Sequence, residues 1–365
     1  MTKLKYLFLF VFFGATIGLN AQDFHNSYFQ FAPMTVNPAL TGAFYGNLRL
    51  SVIGRDQGRP VAGSGNEFQD LSLALDGNVD FGFTDGDWIA FGGNFVRSDA
   101  GVSSNGGSTS FRRQFAGITA AYHLAYGRRK DKVFTIGFKY GNYSTGFNDL
   151  NGLESPFLLE NGAVGADIPA LRNNSVQGEL PTKEKGDYNL GFMLTTPMGK
   201  KSDLRLGISA DHILAPRLAL TSRDTGMTQI PVNPQAERLN RRLNAFVQYY
   251  TSLSDKLTFN PNILFQQSNV STNIVVQGLF NYLYDEEKEL SFTAGIGIRP
   301  VNSLDIPIYL GADYKSWRVG IAYDANIGGL RPSTNSFGAL EIGISKIFSW
   351  VKKPVVEPEF ICPRL

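Results

Sequence analysis

The sequence predicts an all-β chain, a transmembrane antiparallel β-barrel of about fourteen strands. Three observations predict it: a short charged-then-apolar leader, two-residue alternation of apolar and polar residues in segment after segment, and connections that alternate between short and long.

The leader comes first. Lys3 and Lys5 precede an apolar or small run from Tyr6 to Ile17, and Leu19-Asn20-Ala21 ends on a small residue. A charged start, a short apolar stretch and a small-residue site describe a signal peptide over 1–21, with Gln22 as the mature N-terminus. A membrane anchor is the other reading, but a spanning helix needs about 20 apolar residues and this run is shorter. No Cys follows the run, so lipoprotein processing is not indicated.

Alternation is the second observation, because a half-buried strand repeats every two residues. Leu71, Leu73 and Leu75 alternate with polar or small neighbours, as do Phe134, Ile136, Phe138 and Tyr140, then Ile306, Ile308 and Leu310, then Leu340, Ile342 and Ile344. Strands are expected at 47–56, 67–78, 87–97, 112–127, 132–142, 186–198, 203–212, 237–251, 256–266, 272–284, 288–299, 305–312, 316–324 and 338–348. An even number of segments of about ten residues suits a single-chain outer-membrane barrel.

The third observation is independent of the second. Outer-membrane barrels have short periplasmic turns and longer outer loops. Counting from a periplasmic N-terminus, 79–86, 128–131, 199–202, 252–255, 285–287 and 313–315 are short. The outer connections 99–111, 143–185, 213–236 and 325–337 are long and rich in Gly, Asn, Ser and Pro, with only 267–271 and 300–304 short. A water-soluble all-β protein shares the alternation but has no reason to sort its loops. Aromatic residues at strand ends (Trp88, Tyr140, Tyr249, Tyr250, Tyr282, Tyr284, Trp317, Tyr323) fit membrane-interface girdles.

The organisation that follows is a periplasmic N-terminal segment 22–46, a barrel over 47–348 and a periplasmic tail over 349–365. Both ends are expected outside the barrel, since Pro33, Pro38, Pro354, Pro358 and Pro363 cannot continue a sheet ladder. Asn37-Pro38 reads as a turn. The loop 143–185 is long enough to be functional or mobile.

Composition excludes several functions. A net charge of +2 gives no basic stripe, so no nucleic acid is expected as a partner. One cysteine, Cys362, rules out an intramolecular disulfide framework and has no CxxC companion for a metal. A lone cysteine in an exported chain either pairs with another molecule or stays a free thiol, and the latter is favoured. Asp285-Glu286-Glu287 reads as a solvated turn, because it lacks the oxygen-ligand spacing of a calcium loop. Gly101 to Gly107 lacks the lysine of a phosphate loop. Arg112-Arg113, Arg128-Arg129-Lys130, Lys200-Lys201 and Arg241-Arg242 read as contacts with charged headgroups of outer-membrane lipid, with a lumen-lining role for Arg241 or Arg242 as the alternative, since inward positions can be polar.

The histidines are three, His25, His123 and His212. A hydrolytic triad needs a histidine oriented by a partner, and nothing in the sequence marks one. His123, out of phase with Tyr122, Leu124 and Tyr126, is expected to face the lumen. The chain is therefore read as no enzyme, with no catalytic residue, metal or cofactor.

Four pieces of sequence resemble the PorP/SprF family, outer-membrane proteins of the Bacteroidetes type IX secretion and gliding machinery. They are Tyr28-Phe29-Gln30-Phe31-Ala32-Pro33-Met34-Thr35-Val36-Asn37-Pro38-Ala39-Leu40-Thr41-Gly42, then Gly207 to Ile213 with Pro216, then Gly320 to Asn326, then Gly338 to Ile342. The ending Cys362-Pro363-Arg364-Leu365 is similar to the family's, with Leu where Phe is commoner. The resemblance covers the whole mature chain. It implies a barrel that works with type IX machinery components and aids export or surface retention of a cargo adhesin with a C-terminal sorting domain. Partner contacts are carried over from the motifs to Phe31, Pro33, Asn37, Pro38 and Gly42 at one end and Cys362, Pro363 and Arg364 at the other. The alternative is a passive porin or hydrophobic-ligand channel, since fourteen strands enclose room for a pore or a plugged lumen.

Overall fold

The computed structural model describes residues 25–58, 67–79, 83, 86–101, 110–147, 185–216, 238–269, 271–301, 304–329, 331 and 335–350. The leader 1–21, the tail from 351 with Cys362, Pro363 and Arg364, and most of the loop 143–185 lie outside the described residues.

Fourteen strands form. They are β1 (Leu48–Gln57), β2 (Phe68–Val79), β3 (Trp88–Gly101), β4 (Ser110–Tyr126), β5 (Lys132–Phe147), β6 (Lys185–Pro197) and β7 (Ser202–Asp211), followed by β8 (Arg242–Ser252), β9 (Leu257–Ser268), β10 (Thr272–Asp285), β11 (Leu290–Ile298), β12 (Asp305–Tyr314), β13 (Trp317–Asn326) and β14 (Phe337–Phe348). Each pairs antiparallel with its sequence neighbours, and β1 pairs with β14 from Leu48↔Phe348 to Gln57↔Ala339, so the sheet closes. Closure leaves no unpaired strand edge, the condition for a sheet to sit in lipid. Every expected strand is present. The largest differences are β5, which runs on to Phe147 by pairing with the start of β4, and β8, which begins at Arg242 rather than 237.

Burial is inverted relative to a water-soluble protein. Phe134, Ile136, Phe138 and Tyr140 on β5, and Leu340, Ile342 and Ile344 on β14, are all exposed. Their alternates point inward and are buried although polar: Arg49, Ser51 and Arg55 on β1, Thr135 and Lys139 on β5, Asn244 and Gln248 on β8, Glu341 on β14. Apolar side chains outside and polar ones inside are what a bilayer selects from a two-residue repeat. The same alternation, read without knowing the solvent, would have put the apolar set in a core.

Tyr140, Tyr282, Tyr284 and Trp317 are exposed, as an interface girdle requires. Trp88 is not. It falls on the inward phase, stacks on His123 at 4.4 Å between ring centroids and donates its indole N–H to the Gly42 carbonyl.

One expectation is corrected outright. Residues 25–46 do not lie outside the barrel; from Asn26 to Phe44 nearly every residue is buried against the inward-facing wall. The prolines exclude this segment from the ladder, as expected, but exclusion from the sheet does not place a segment in water. Tyr28, Phe29, Phe31, Met34, Val36 and Leu40 are a large apolar payload, and the lumen offers them protein contacts that the periplasm does not.

Candidate functional site

The lumenal segment is the one irregular element that the described barrel encloses, so the site is built from it. A 3-10 turn at Phe29–Phe31 leads into a single helical turn, α1 (Pro33–Val36), and a second 3-10 turn follows at Pro38–Leu40. Pro33 opens α1 where its missing N–H costs no hydrogen bond. Asn37 precedes a proline and is extended (φ −157°, ψ 126°), as sterics before Pro demand.

Asn37 uses its whole side chain. Its Oδ1 accepts from the Ala39 N–H at 2.8 Å, capping the second turn. Its Nδ2 donates to the Phe192 carbonyl at 3.2 Å and the Ile208 carbonyl at 3.1 Å. Phe192 and Ile208 face each other across β6 and β7, so one amide grips the sheet backbone at two strands. Close approach requires bare backbone on the wall. A Cβ at Gly191 would overlap Asn37 Oδ1, and one at Gly137 would overlap the backbone of Pro38 and Ala39.

Phe31 is seated in the same way on the opposite wall. A Cβ at Gly320 would come within 2.6 Å of both Phe31 and Tyr28, and one at Gly343 would strike the Phe31 ring. Tyr28 meets Phe31 edge-on at 4.8 Å and Tyr309 at 5.1 Å. A second apolar cluster joins Phe29, Val36, Ala39 and Leu40 to the inward-facing Met193, Phe246, Leu264 and Val275.

Gly42 adopts φ +69°, and its N–H donates to Asp76 Oδ2 at 2.7 Å. Arg49 holds the same carboxylate through Nε (2.9 Å) and Nη2 (2.7 Å), and reaches the Leu40 carbonyl at 3.1 Å. His123 Nε2 lies 2.8 Å from the Thr41 carbonyl, which can only accept, so Nε2 carries the proton and Nδ1 accepts from Thr135 at 2.9 Å. His123 thus faces the lumen as expected.

At its other end the segment is held by a buried ionic cluster. Glu341 accepts from the N–H groups of Ser27 and Tyr28, both at 2.8 Å. Ser27 Oγ and Arg55 Nη1 each donate to Asp324 Oδ2 at 2.8 Å. Arg55 also pairs with Glu341, and Arg299 donates to Asp324 at 3.2 Å and to Ser27 Oγ. Arg55 and Asp324 sit near the strand ends that carry the long connections, whereas Gly42 to Gly46 sit where β1 begins. The chain therefore enters β1 after descending the lumen from the long-loop mouth towards the short-turn mouth.

The carbonyls that α1 leaves open are met by the wall. Lys139 Nζ donates to Met34 O at 3.1 Å, Arg242 to Thr35 O at 3.4 Å and Ser209 Oγ to Val36 O at 2.9 Å. Arg242 is held in turn by Asp211 at 2.8 Å.

Phe31, Pro33, Asn37, Pro38 and Gly42 are thus all brought into the lumen and buried. The other three resembling pieces converge on the N-terminal one: Ile208 and Ser209, Gly320, and Glu341 each lie against it, and Asp324 holds the adjoining Ser27. The wall residues Arg49, Arg55, Asp76, Lys139 and Arg299 were missed by sequence reasoning. Their signal was present, because each is a charged residue on or beside a strand on the phase opposite the apolar set. Also missed was a carboxylate on His212, whose Nδ1 lies 2.7 Å from Asp187 Oδ2.

Several solved structures are similar to this one at low sequence identity. The Ralstonia pickettii toluene transporter TbuX is 15% identical, with a TM-score of 0.48 over 87% of this chain and 93% of that one. The monoaromatic hydrocarbon channel CymD is 14% identical, with a TM-score of 0.48 over 91% and 95%. CdiB from Acinetobacter baumannii is 10% identical, with a TM-score of 0.47 over 82% of this chain, which spans 60% of that one. No curated protein matches the chain. A family model described as type IX secretion system membrane protein PorP/SprF matches residues 19–345, which include all fourteen strands but the last three residues of β14, and the complete lumenal segment. The chain is an outer-membrane β-barrel and belongs to the PorP/SprF family of type IX secretion system membrane proteins.

Proposed function

We propose that this barrel serves the type IX machinery as a closed scaffold, aiding export or surface retention of a cargo adhesin with a C-terminal sorting domain, without enzymatic chemistry. Its contacts with machinery components and cargo are made at its ends and loops, including the tail with Cys362, Pro363 and Arg364. The observation that carries this reading is the lumenal segment, tied to β13 and β14 through Ser27 and to β6 and β7 through Asn37. In a ring of fourteen strands these pairs face each other across the lumen. A buried segment fixed to opposite walls suits a scaffold better than a passive conduit.

The test compares surface and secreted proteins of a deletion strain with its parent by mass spectrometry, beside solute flux into liposomes holding the purified barrel. Loss of one large surface adhesin with negligible flux supports the scaffold. An unchanged surface proteome with rapid flux of small or apolar solutes makes the protein a channel instead.

A further inference from the structure

Closing the ring is the step for which this chain has the least local help. Every other seam of the sheet joins strands that are neighbours in sequence, whereas β1 and β14 are its two ends, with Arg55 and Glu341 286 residues apart. Bringing such distant residues together carries a loop-closure cost that a hairpin does not meet.

Contact and connectivity both place the lumenal segment on that seam. Ile53↔Gly343 and Arg55↔Glu341 are successive inward-facing pairs across it. Gly343 leaves the wall bare where a Cβ would strike the Phe31 ring, and Ile53, only 1% exposed, packs in one apolar cluster with Phe31 and Tyr28. Arg55 pairs with Glu341 across the seam, and Glu341 also accepts from the Ser27 and Tyr28 N–H groups. Towards the short-turn side, Arg49 donates to the Leu40 carbonyl, and a Cβ at Gly46 would overlap Ile347, the seam partner of Arg49. The segment runs on into β1 at Leu48, while Ser27 and Phe31 are fastened to β13 and β14. It therefore ties β1 to the far end of the sheet by contacts additional to the ladder.

We infer that the segment is an internal clasp for ring closure: β1 and β14 pair against the Phe31 ring and the Ser27 and Tyr28 amides, so seating the segment and closing the barrel are one cooperative step. An open sheet edge accepts any strand offered to it. Phe31 on Gly343 and the two amides on Glu341 select β14 and fix its register, because a one-residue slip turns both positions to the lipid face. This function goes beyond the scaffold reading and holds whichever partner the barrel serves.

The test follows refolding of the mature chain into phospholipid vesicles, in a Cys362→Ser background with paired cysteines on the lipid face. Val52→Cys with Ile344→Cys reports the β1/β14 seam, and Val247→Cys with Ile263→Cys reports the β8/β9 hairpin. Directly opposed strand residues stand about 4.5–5.5 Å apart at Cα, within disulfide reach. Samples are oxidised and quenched at intervals, and the thiols left free are counted by maleimide mass tagging. Phe31→Ala should slow cross-linking of the β1/β14 pair about fivefold or more, and leave the β8/β9 pair within about twofold of its unmodified rate. Should Phe31→Ala yield no folded barrel, Gly320→Ala carries the same comparison, since it crowds Phe31 from β13 and leaves the seam residues unaltered. Cross-linking of β1 to β14 at the unmodified rate overturns the inference. Equal slowing at both pairs also overturns it, and makes the segment a filler of the whole lumen instead.

Discussion

The Asn37 side chain donates to the backbone carbonyl of Ile208 across 3.1 Å, tying the lumenal segment to the sheet itself rather than to a side chain of the wall. Removing it deletes this bond, its companion to Phe192 and the cap on Ala39. At about 1 kcal/mol for each, Asn37→Ala should loosen the segment by about 2–4 kcal/mol. Limited proteolysis of the folded barrel should then cut within residues 25–46 on the order of a hundredfold faster. Cleavage at the wild-type rate would mean that the segment is held elsewhere.

Gly137 and Gly191 make room for that seat. Alanine at either position must push the segment off the wall, at an expected cost of about 1–3 kcal/mol from overpacking. Gly54 is the control, since a Cβ there meets nothing closer than 4.0 Å. Urea midpoints of the three alanine variants separate the two classes. Equal midpoints for all three count against close packing at Gly137 and Gly191.

Arg55 lies between two carboxylates, Asp324 and Glu341, that also bind Ser27 and Tyr28. Arg55→Met leaves Asp324 paired with Arg299 but Glu341 without its cation, and breaking a buried pair from one side costs about 3–5 kcal/mol. Adding Glu341→Gln removes the charge left over and should recover part of the loss. The quantity to measure is the coupling in a double-mutant cycle by urea unfolding. Additive losses would show that Arg55 and Glu341 are not energetically linked.

Leu310 is exposed near the middle of β12. On a water-soluble surface Leu310→Arg is close to neutral. In a bilayer a cation at the midplane of the lipid face costs about 2–4 kcal/mol. Folding equilibria in lipid vesicles should therefore shift against Leu310→Arg, with little change for a Gln248→Asn variant on the inward side. A neutral Leu310→Arg would contradict the placement of this face in lipid.

Each strand was legible because its signal is local. Side chains on a strand alternate faces whatever lies beyond them, so the spacing of Ile306, Ile308 and Leu310 marks β12 without any distant information. Loop sorting added the solvent. It identified the apolar face as the one turned to lipid, and the burial of Arg49, Lys139 and Glu341 inside agrees. Trp88 shows the limit of that approach: residue type and strand-end position suggested a girdle, while its phase put it on His123 in the lumen.

The sequence by itself determined the fourteen strands, the closed antiparallel barrel and the family, since periodicity, turn spacing and motif are written along the chain. Only the tertiary structure decided where residues 25–46 go. Asn37 in isolation reads as a turn before proline, and its meaning depends on carbonyls 155 and 171 residues away. Ser27 depends on Glu341, 314 residues distant. Contacts of that range leave no period in the sequence, because the lumen that receives the segment exists only once β1 has closed against β14.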